Sequence, residues 1–327
     1  MRAALVRVGV VAWCGLALLA CSACGAARPP EPARLAPIPV PAPEPQCAQD
    51  RARALELTND GDRAVKVNVE GAIASYVRAA ELFPSEPRIL WKLALAYEKT
   101  EDWAHMEATL ARATELAPNV AHYAFKQGYA WMMQGPSDRA AFERAKGPLQ
   151  RCVALDPNLA ACHFLLAAAY LWSDQNELAL REYSLAIEHD PERGSLYPPL
   201  VELYHDFGLH EQAEQVAKEG TRVVARSAKT SAALFALEMY LANAARTKGD
   251  AAGQRAGLTR ALEDLSDEHP ELAFELGAAY AALEPPDKAR ASQLLIQFSK
   301  SVCRSHAAAK FKEQCEQAQA TLQRLGL

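Results

Sequence analysis

The sequence has few glycines and few runs of β-branched residues, and it lacks the common catalytic motifs. Only 16 of its 327 residues are glycine, and it has no glycine-rich phosphate loop, no His-Glu-x-x-His and no Gly-x-Ser-x-Gly. These absences exclude the usual sequence signatures of P-loop nucleotide hydrolases, zinc proteases and serine hydrolases. We therefore expect that the protein is not an enzyme and that it has no catalytic residues, cofactor or metal site.

One pair of histidines could suggest metal binding or acid–base chemistry. His205 and His210 are five residues apart, with Asp206 between them. On a single helix, side chains three or four residues apart share a face, whereas side chains five apart do not. We therefore expect these histidines to be surface polar residues.

The N-terminus has the features of an export signal. Arg2 and Arg7 precede a stretch without charge, Val8 to Ala20, whose thirteen residues are too few to span a bilayer. The stretch ends in Leu18-Leu19-Ala20-Cys21, which resembles the lipobox of bacterial lipoproteins. The resemblance implies that residues 1–20 are a cleaved signal peptide and that Cys21 is lipidated. The alternatives are an ordinary signal peptide, a small apolar stretch that contains a cysteine by chance, and lipidation of Cys24 instead.

A lipidated Cys21 would anchor the protein to a membrane through its acyl chains. Ser22 follows the lipidation site, and among lipoproteins the absence of Asp there favours the outer membrane. We expect an outer-membrane protein that faces the periplasm or the cell surface. Loss of Arg2 and Arg7 with the signal peptide changes the formal net charge from −5 to −7, so we expect no nucleic-acid partner.

Residues 21–46 form a second region of distinct composition. Eight prolines lie between residues 25 and 46. Proline at nearly every second position opposes helix formation and favours polyproline II, which is typical of a semi-rigid spacer. We interpret this region as a lipidated linker that holds a domain of residues 47–327 away from the membrane.

Regularly spaced prolines divide the domain into repeats. Pro84, Pro118, Pro157 and Pro191 are separated by 34, 39 and 34 residues. Each follows an alanine-rich amphipathic segment, and proline at such a position ends a helix. The spacing predicts a series of helical pairs.

The residues within each interval resemble the tetratricopeptide repeat (TPR), whose length is 34 residues. One unit has Leu90, Leu93, Ala94, Tyr97, Met106, Leu110, Ala113 and Pro118 at the signature positions, and another has His163, Leu166, Ala167, Tyr170, Ala179, Tyr183, Ala186 and Pro191. The resemblance is strong over residues 72–213 and weaker elsewhere in 47–327. It implies an all-α fold: a right-handed TPR solenoid of six to seven helical hairpins plus a C-terminal capping helix.

TPR proteins bind ligands mainly through the inner face of the first helix of each repeat. The corresponding positions here are aromatic and methionine-rich, which is typical of surfaces that accept an apolar helix or extended segment. The alternative is that these side chains are covered by the closing superhelix or by the insertion at residues 132–144. The predicted groove residues are Trp91, Leu95, Phe125, Tyr129, Met132, Met133, Phe164, Leu171 and Trp172.

Four cysteines could form disulfides in an oxidising compartment. Cys152 and Cys162 lie symmetrically about Pro157, so antiparallel helices could bring them together, although two small buried residues would fit equally well. Cys303 and Cys315 could bridge the last two helices if the turn between them is compact. Neither spacing resembles a zinc site.

We expect a membrane-anchored scaffold or adaptor that binds an envelope protein through an apolar helix or extended segment. Among known families, the architecture resembles TPR lipoproteins that assist pilus, secretin or other outer-membrane complex assembly. The alternative function is regulation of a peptidoglycan synthase or hydrolase. TPR architecture alone does not distinguish these functions.

Overall fold

The computed structural model describes residues 44–226, 230–265 and 269–326. The signal peptide, Cys21 and nearly all of the proline-rich linker lie outside the described residues, so these interpretations stay predictions. Within the described ranges the chain forms fifteen α-helices and two short 3-10 helices, with no strand. None of these helices combines the length and the apolar character that a membrane span requires.

The α-helices follow one another closely along the chain. The two 3-10 helices are Gly194–Leu196 and His306–Ala309. In chain order the α-helices are α1 (Glu44–Ala64), α2 (Val69–Leu82), α3 (Pro87–Lys99), α4 (Trp103–Leu116), α5 (Ala121–Gln134), α6 (Ala140–Leu155), α7 (Ala160–Trp172), α8 (Asn176–His189), α9 (Tyr197–Asp206), α10 (His210–Val223), α11 (Ser231–Thr247), α12 (Ala251–Asp264), α13 (Leu272–Ala281), α14 (Lys288–Ser301) and α15 (Lys312–Leu325).

The spaced prolines end helices as predicted. Pro84, Pro118, Pro157 and Pro191 each lie two residues beyond the last residue of a helix, namely α2, α4, α6 and α8. Proline restricts the residue before it to extended conformations, so the helix ends there. Of the helices that follow these prolines, α3 begins with a side-chain cap: the side chain of Glu86 accepts a hydrogen bond from the backbone N–H of Arg88.

The chain divides into two compact units, with the boundary between Ala179 and Leu180 inside α8. In the first unit, α1 packs with α2, α3 with α4 and α5 with α6, and each pair packs against the next through α2–α3, α4–α5 and α6–α7. In the second unit, α9 packs with α10, α11 with α12 and α13 with α14. Six pairs of helices are formed in this way, and α7 and α8 follow one another in the chain between the third and the fourth pair.

The C-terminal helix α15 follows the last of these pairs and packs against both α13 and α14. Ala318 is its buried residue, and the rest of its surface is at least partly exposed. A disulfide joins Cys315 in α15 to Cys303 after α14, with the Cα atoms 5.7 Å apart. The predicted all-α fold of helical pairs with a final solvated helix is confirmed.

The TPR signature positions of the first unit lie in the core. Ala94 and Ala113 are fully buried, as are Met106 and Leu110, and Leu90 and Leu93 are at most 6% exposed. Small residues at two positions allow the helices to approach, while the larger residues fill the space between successive pairs. A close approach between paired helices occurs at Gly128 in α5, where an added Cβ atom would lie 2.4 Å from the Cγ atom of Leu149 in α6.

Gly128→Ala is expected to lower the free energy of unfolding by about 1–3 kcal/mol, because the new methyl group overlaps the fully buried Leu149. In a Leu149→Ala background the obstructing atoms are absent, and the same substitution should be neutral or stabilising by up to about 1 kcal/mol, as for glycine to alanine in an ordinary helix. Urea unfolding of wild type, Gly128→Ala, Leu149→Ala and the double variant measures whether the effect of Gly128→Ala changes sign between the two backgrounds. Equal losses in both backgrounds would contradict the proposed contact.

Candidate protein-binding surface

Three helices of the first unit lie side by side: α3, α5 and α7, the first helices of three successive pairs. The ring of Trp91 in α3 stacks on that of Tyr123 in α5, and Glu98 in α3 forms an ion pair with Lys126 in α5. Helix α5 in turn contacts α7. Eight of the nine predicted groove residues are partly exposed on these helices, and we call them the helix-A surface: Trp91, Leu95, Phe125, Tyr129, Met133, Phe164, Leu171 and Trp172.

Trp91 is held in place by the fold. Its ring centroid lies 5.2 Å from that of Tyr123, with an angle of 30° between the ring planes. The side chain also packs against two hydrophobic clusters, one around Leu93 and one around Leu90. Because these contacts restrict its rotamers, its exposed edge is available to a partner with little loss of conformational entropy.

Tyr129 occupies a similar position on α5. Its ring meets that of Trp103 edge-on, with centroids 5.8 Å apart, and the Nζ atom of Lys126 lies 5.2 Å from the ring centroid. Burial raises the pKa of the Tyr129 hydroxyl above its usual value, and the negative charge of Glu98 adds to this effect. The phenol therefore stays protonated and can donate a hydrogen bond to a partner.

Met132 is wrongly assigned to the groove, because it is only 3% exposed. It lies four residues after Gly128 and therefore on the same side of α5, which faces α6 through Leu149. Met133, the next residue, points about 100° further around the helix and is partly exposed. Of the two adjacent methionines, Met133 belongs to the helix-A surface and Met132 to the core.

Trp172 is partly covered by residues 132–144, the insertion that the sequence offers as a possible cover for the groove. Its ring stacks on that of Phe142, with centroids 4.9 Å apart and an interplanar angle of 6°. Phe142 is 3% exposed and packs so closely over Gly135 that an added Cβ atom would lie 2.1 Å from its Cε1 atom. Residues 132–144 thus cover one face of Trp172.

Phe125 lies beside a disulfide. A disulfide joins Cys152 to Cys162, with their Cα atoms 6.0 Å apart. Phe125 packs against the cluster formed by these cysteines and Ala124. The bond links the end of α6 to the start of α7. It therefore fixes the position of α7 relative to the α5–α6 pair, and with it the position of Phe164 and Trp172.

Polar residues surround the apolar centre of the helix-A surface. The Lys126 ammonium lies 2.6 Å from a carboxylate oxygen of Glu98, and both side chains are about one-quarter exposed, at 22% and 27%. Arg88 and Lys99, at the two ends of α3, are exposed, as is His122 at the start of α5. An apolar centre with a charged rim is the usual composition of a protein-binding surface.

Sequence reasoning missed the residues that support this surface. Tyr123, Trp103 and Phe142 hold the rings of Trp91, Tyr129 and Trp172, respectively. Trp103 and Phe142 lie on the second helices of their pairs, whereas the groove positions were read from the first helices. A search for aromatic residues near the ends of the neighbouring helices would have found them.

Comparison with known proteins identifies similar solved structures. MamA from Desulfovibrio magneticus RS-1 is 19% identical, the match covers 52% of this chain and 94% of that one, and the TM-score is 0.48. YrrB, described as a TPR protein with an unusual peptide-binding site, is 18% identical, with 54% of this chain and 89% of that chain covered and a TM-score of 0.46. No protein-family model and no curated protein matches the chain.

Three carboxyl groups of the second unit have pKa values that are raised by burial. Burial raises the pKa of Glu238 and Asp264, while Arg260 and Arg226 form ion pairs with them at 2.8 Å. Burial, with a smaller contribution from Glu271, raises the pKa of Glu275 from 4.5 to about 7. The described residues contain no group of three or more metal-binding side chains.

Glu275→Gln is expected to change how stability depends on pH. The folded-state pKa of Glu275 is raised, so its stabilising contribution is complete below pH 4.5 and is lost as the pH rises through about 7. The variant should therefore have a free energy of unfolding about 1–3 kcal/mol above wild type at pH 8 and close to wild type at pH 4.5.

Urea unfolding at several pH values measures this difference. Glu192→Gln, at an exposed position of the same unit, is the matched control and should follow wild type throughout. A constant difference between Glu275→Gln and wild type across this pH range would contradict the assignment.

Proposed function

We propose that the protein is a scaffold or adaptor whose helix-A surface binds an apolar helix or extended segment of a partner protein. The observation that supports this function best is the grouping of eight large apolar side chains, all partly exposed, on three adjacent helices. Contiguous apolar patches with a polar rim are typical of interaction sites. Aromatic residues and methionine are enriched in such patches.

The side chains of this surface combine rigid and adaptable elements. Trp91 and Trp172 are fixed by ring stacking, with centroid distances of 5.2 and 4.9 Å. Rigid aromatic side chains lose little entropy on binding and often contribute most of the binding energy. Met133 and Leu95 are not part of the ring stacks, and methionine adapts its shape to different partners. The surface suits a segment that inserts apolar side chains between fixed rings.

The charged rim favours a particular kind of segment. Arg88 and Lys99 are exposed at opposite ends of α3, and the negative charge of Glu98 is already paired with Lys126. Acidic residues on either side of the apolar stretch would meet these exposed positive charges. Rim charges of this kind mainly affect specificity and the rate of association.

We further propose that the scaffold acts in the bacterial envelope, anchored through the lipid on Cys21 and carried on the proline-rich linker. The support for this location is the resemblance of residues 18–21 to the lipobox and the composition of residues 25–46. In that setting the partner would be an envelope protein of a pilus, secretin or other outer-membrane complex.

A charge placed within the helix-A surface should abolish partner binding. In the Leu95→Glu/Met133→Glu variant, binding would bury two carboxylates in an apolar interface, which costs several kcal/mol. We expect at least about a tenfold loss of crosslinked partner in pull-downs from detergent-solubilised envelopes, which corresponds to about 1.4 kcal/mol or more.

Phe207→Glu is the matched control, because Phe207 is a large apolar residue of the second unit that is 44% exposed. It should capture the partner as wild type does, and circular dichroism should give equal melting temperatures for all three proteins. Unchanged capture by Leu95→Glu/Met133→Glu would contradict the proposed surface. The partner's identity would separate complex assembly from regulation of a cell-wall enzyme.

A further inference from the structure

His205 and His210 come together although their spacing argues against it. The Nδ1 atoms of the two imidazoles are 3.2 Å apart, and the ring centroids are 4.8 Å apart. The residues lie on different helices: His205 is near the end of α9, and His210 is the first residue of α10. The rule that side chains five apart diverge applies within one helix, so it does not apply to this pair.

The turn between the two helices creates this contact. Gly208 adopts a positive φ of 72°, which reverses the chain within three residues. The backbone N–H of Gly208 donates to the carbonyl oxygen of His205, and that of Leu209 donates to Tyr204. These hydrogen bonds fix the ends of both helices, and with them the two histidine backbones.

A third side chain contacts His205, the less exposed histidine of the pair. The ring of Tyr240 in α11 meets the His205 ring edge-on, with centroids 5.7 Å apart. His205 is therefore partly buried between α10 and α11, whereas His210 is exposed.

We propose that His205 and His210 bind a divalent transition-metal ion through their Nδ1 atoms. Nitrogen ligands lie 2.0–2.1 Å from Zn²⁺, so two ligands of a tetrahedral ion are about 3.3 Å apart. The observed separation of 3.2 Å is close to this value. Neutral imidazole is a preferred ligand of zinc, copper and nickel.

The proton balance of binding is simple. A hydrogen bond between the two Nδ1 atoms in the metal-free state requires a proton on one of them, with the other Nδ1 as acceptor. When the ion binds, that proton moves through solvent to the Nε2 atom of the same ring, and both Nδ1 lone pairs coordinate the ion. The protein supplies two ligands here, because the described residues contain no group of three or more metal-binding side chains. Water completes the coordination, so the ion exchanges readily.

Metal binding at this site would affect the stability of the second unit. An ion held by both histidines links the end of α9 to the start of α10, next to the α11 residue Tyr240. Binding to the folded state alone raises thermal stability. The ion would therefore stiffen this part of the second unit. This site is separate from the helix-A surface, which belongs to the first unit.

The test is a zinc titration by calorimetry of the full chain in detergent, purified without a polyhistidine tag. Wild type should bind one zinc ion through this pair, and its melting temperature should rise with zinc. His205→Ala and His210→Ala should each weaken binding by at least about tenfold, since each leaves a single imidazole. His210 is exposed and begins a helix, so its variant should fold normally.

His122→Ala is the matched control, because His122 is an exposed histidine on the first unit, and it should bind zinc as wild type does. Copper-loaded wild type should also show electron paramagnetic resonance couplings to two nitrogen nuclei, reduced to one in His210→Ala. Equal zinc affinity in wild type and both variants, or no rise in melting temperature with zinc, would overturn the proposal.

Discussion

Close approach between paired helices is the constraint on which the rest of the structure depends. Gly128 leaves room for Leu149, and Ala94 and Ala113 are fully buried where larger side chains would separate the helices. Because each pair buries one side of its first helix in this way, the opposite side cannot also be buried within the pair. The helix-A surface therefore follows from the packing at Gly128.

The same packing gives the surface its rigidity. Tyr123 and Trp103 hold the rings of Trp91 and Tyr129, and the disulfide between Cys152 and Cys162 fixes the α6–α7 connection beside Phe125. A surface held by rings, a covalent bond and a buried core is organised before a partner arrives. Such preorganisation reduces the entropy lost on binding.

The sequence predicts the fold well because its signals are local. Proline two residues after a helix and small residues at fixed positions depend on the immediate neighbours, so Pro84 and Ala94 could be interpreted directly. Side-chain exposure depends on packing between helices. For that reason Met132 was wrongly assigned to the groove, and the stacking of Phe142 on Trp172 was not foreseen. The contact between His205 and His210 was missed because the turn at Gly208 places them on separate helices; the glycine between them was the available signal.

Site-specific photocrosslinking in living cells tests the central claim most directly. A photoreactive amino acid would replace Leu95 on the helix-A surface or, in a parallel chain, Arg112, which is exposed on α4, the second helix of the same pair. The account predicts one specific crosslinked partner at position 95, joined through an apolar segment, and none at position 112. Crosslinking of the same partner at position 112 but not at position 95 would contradict it.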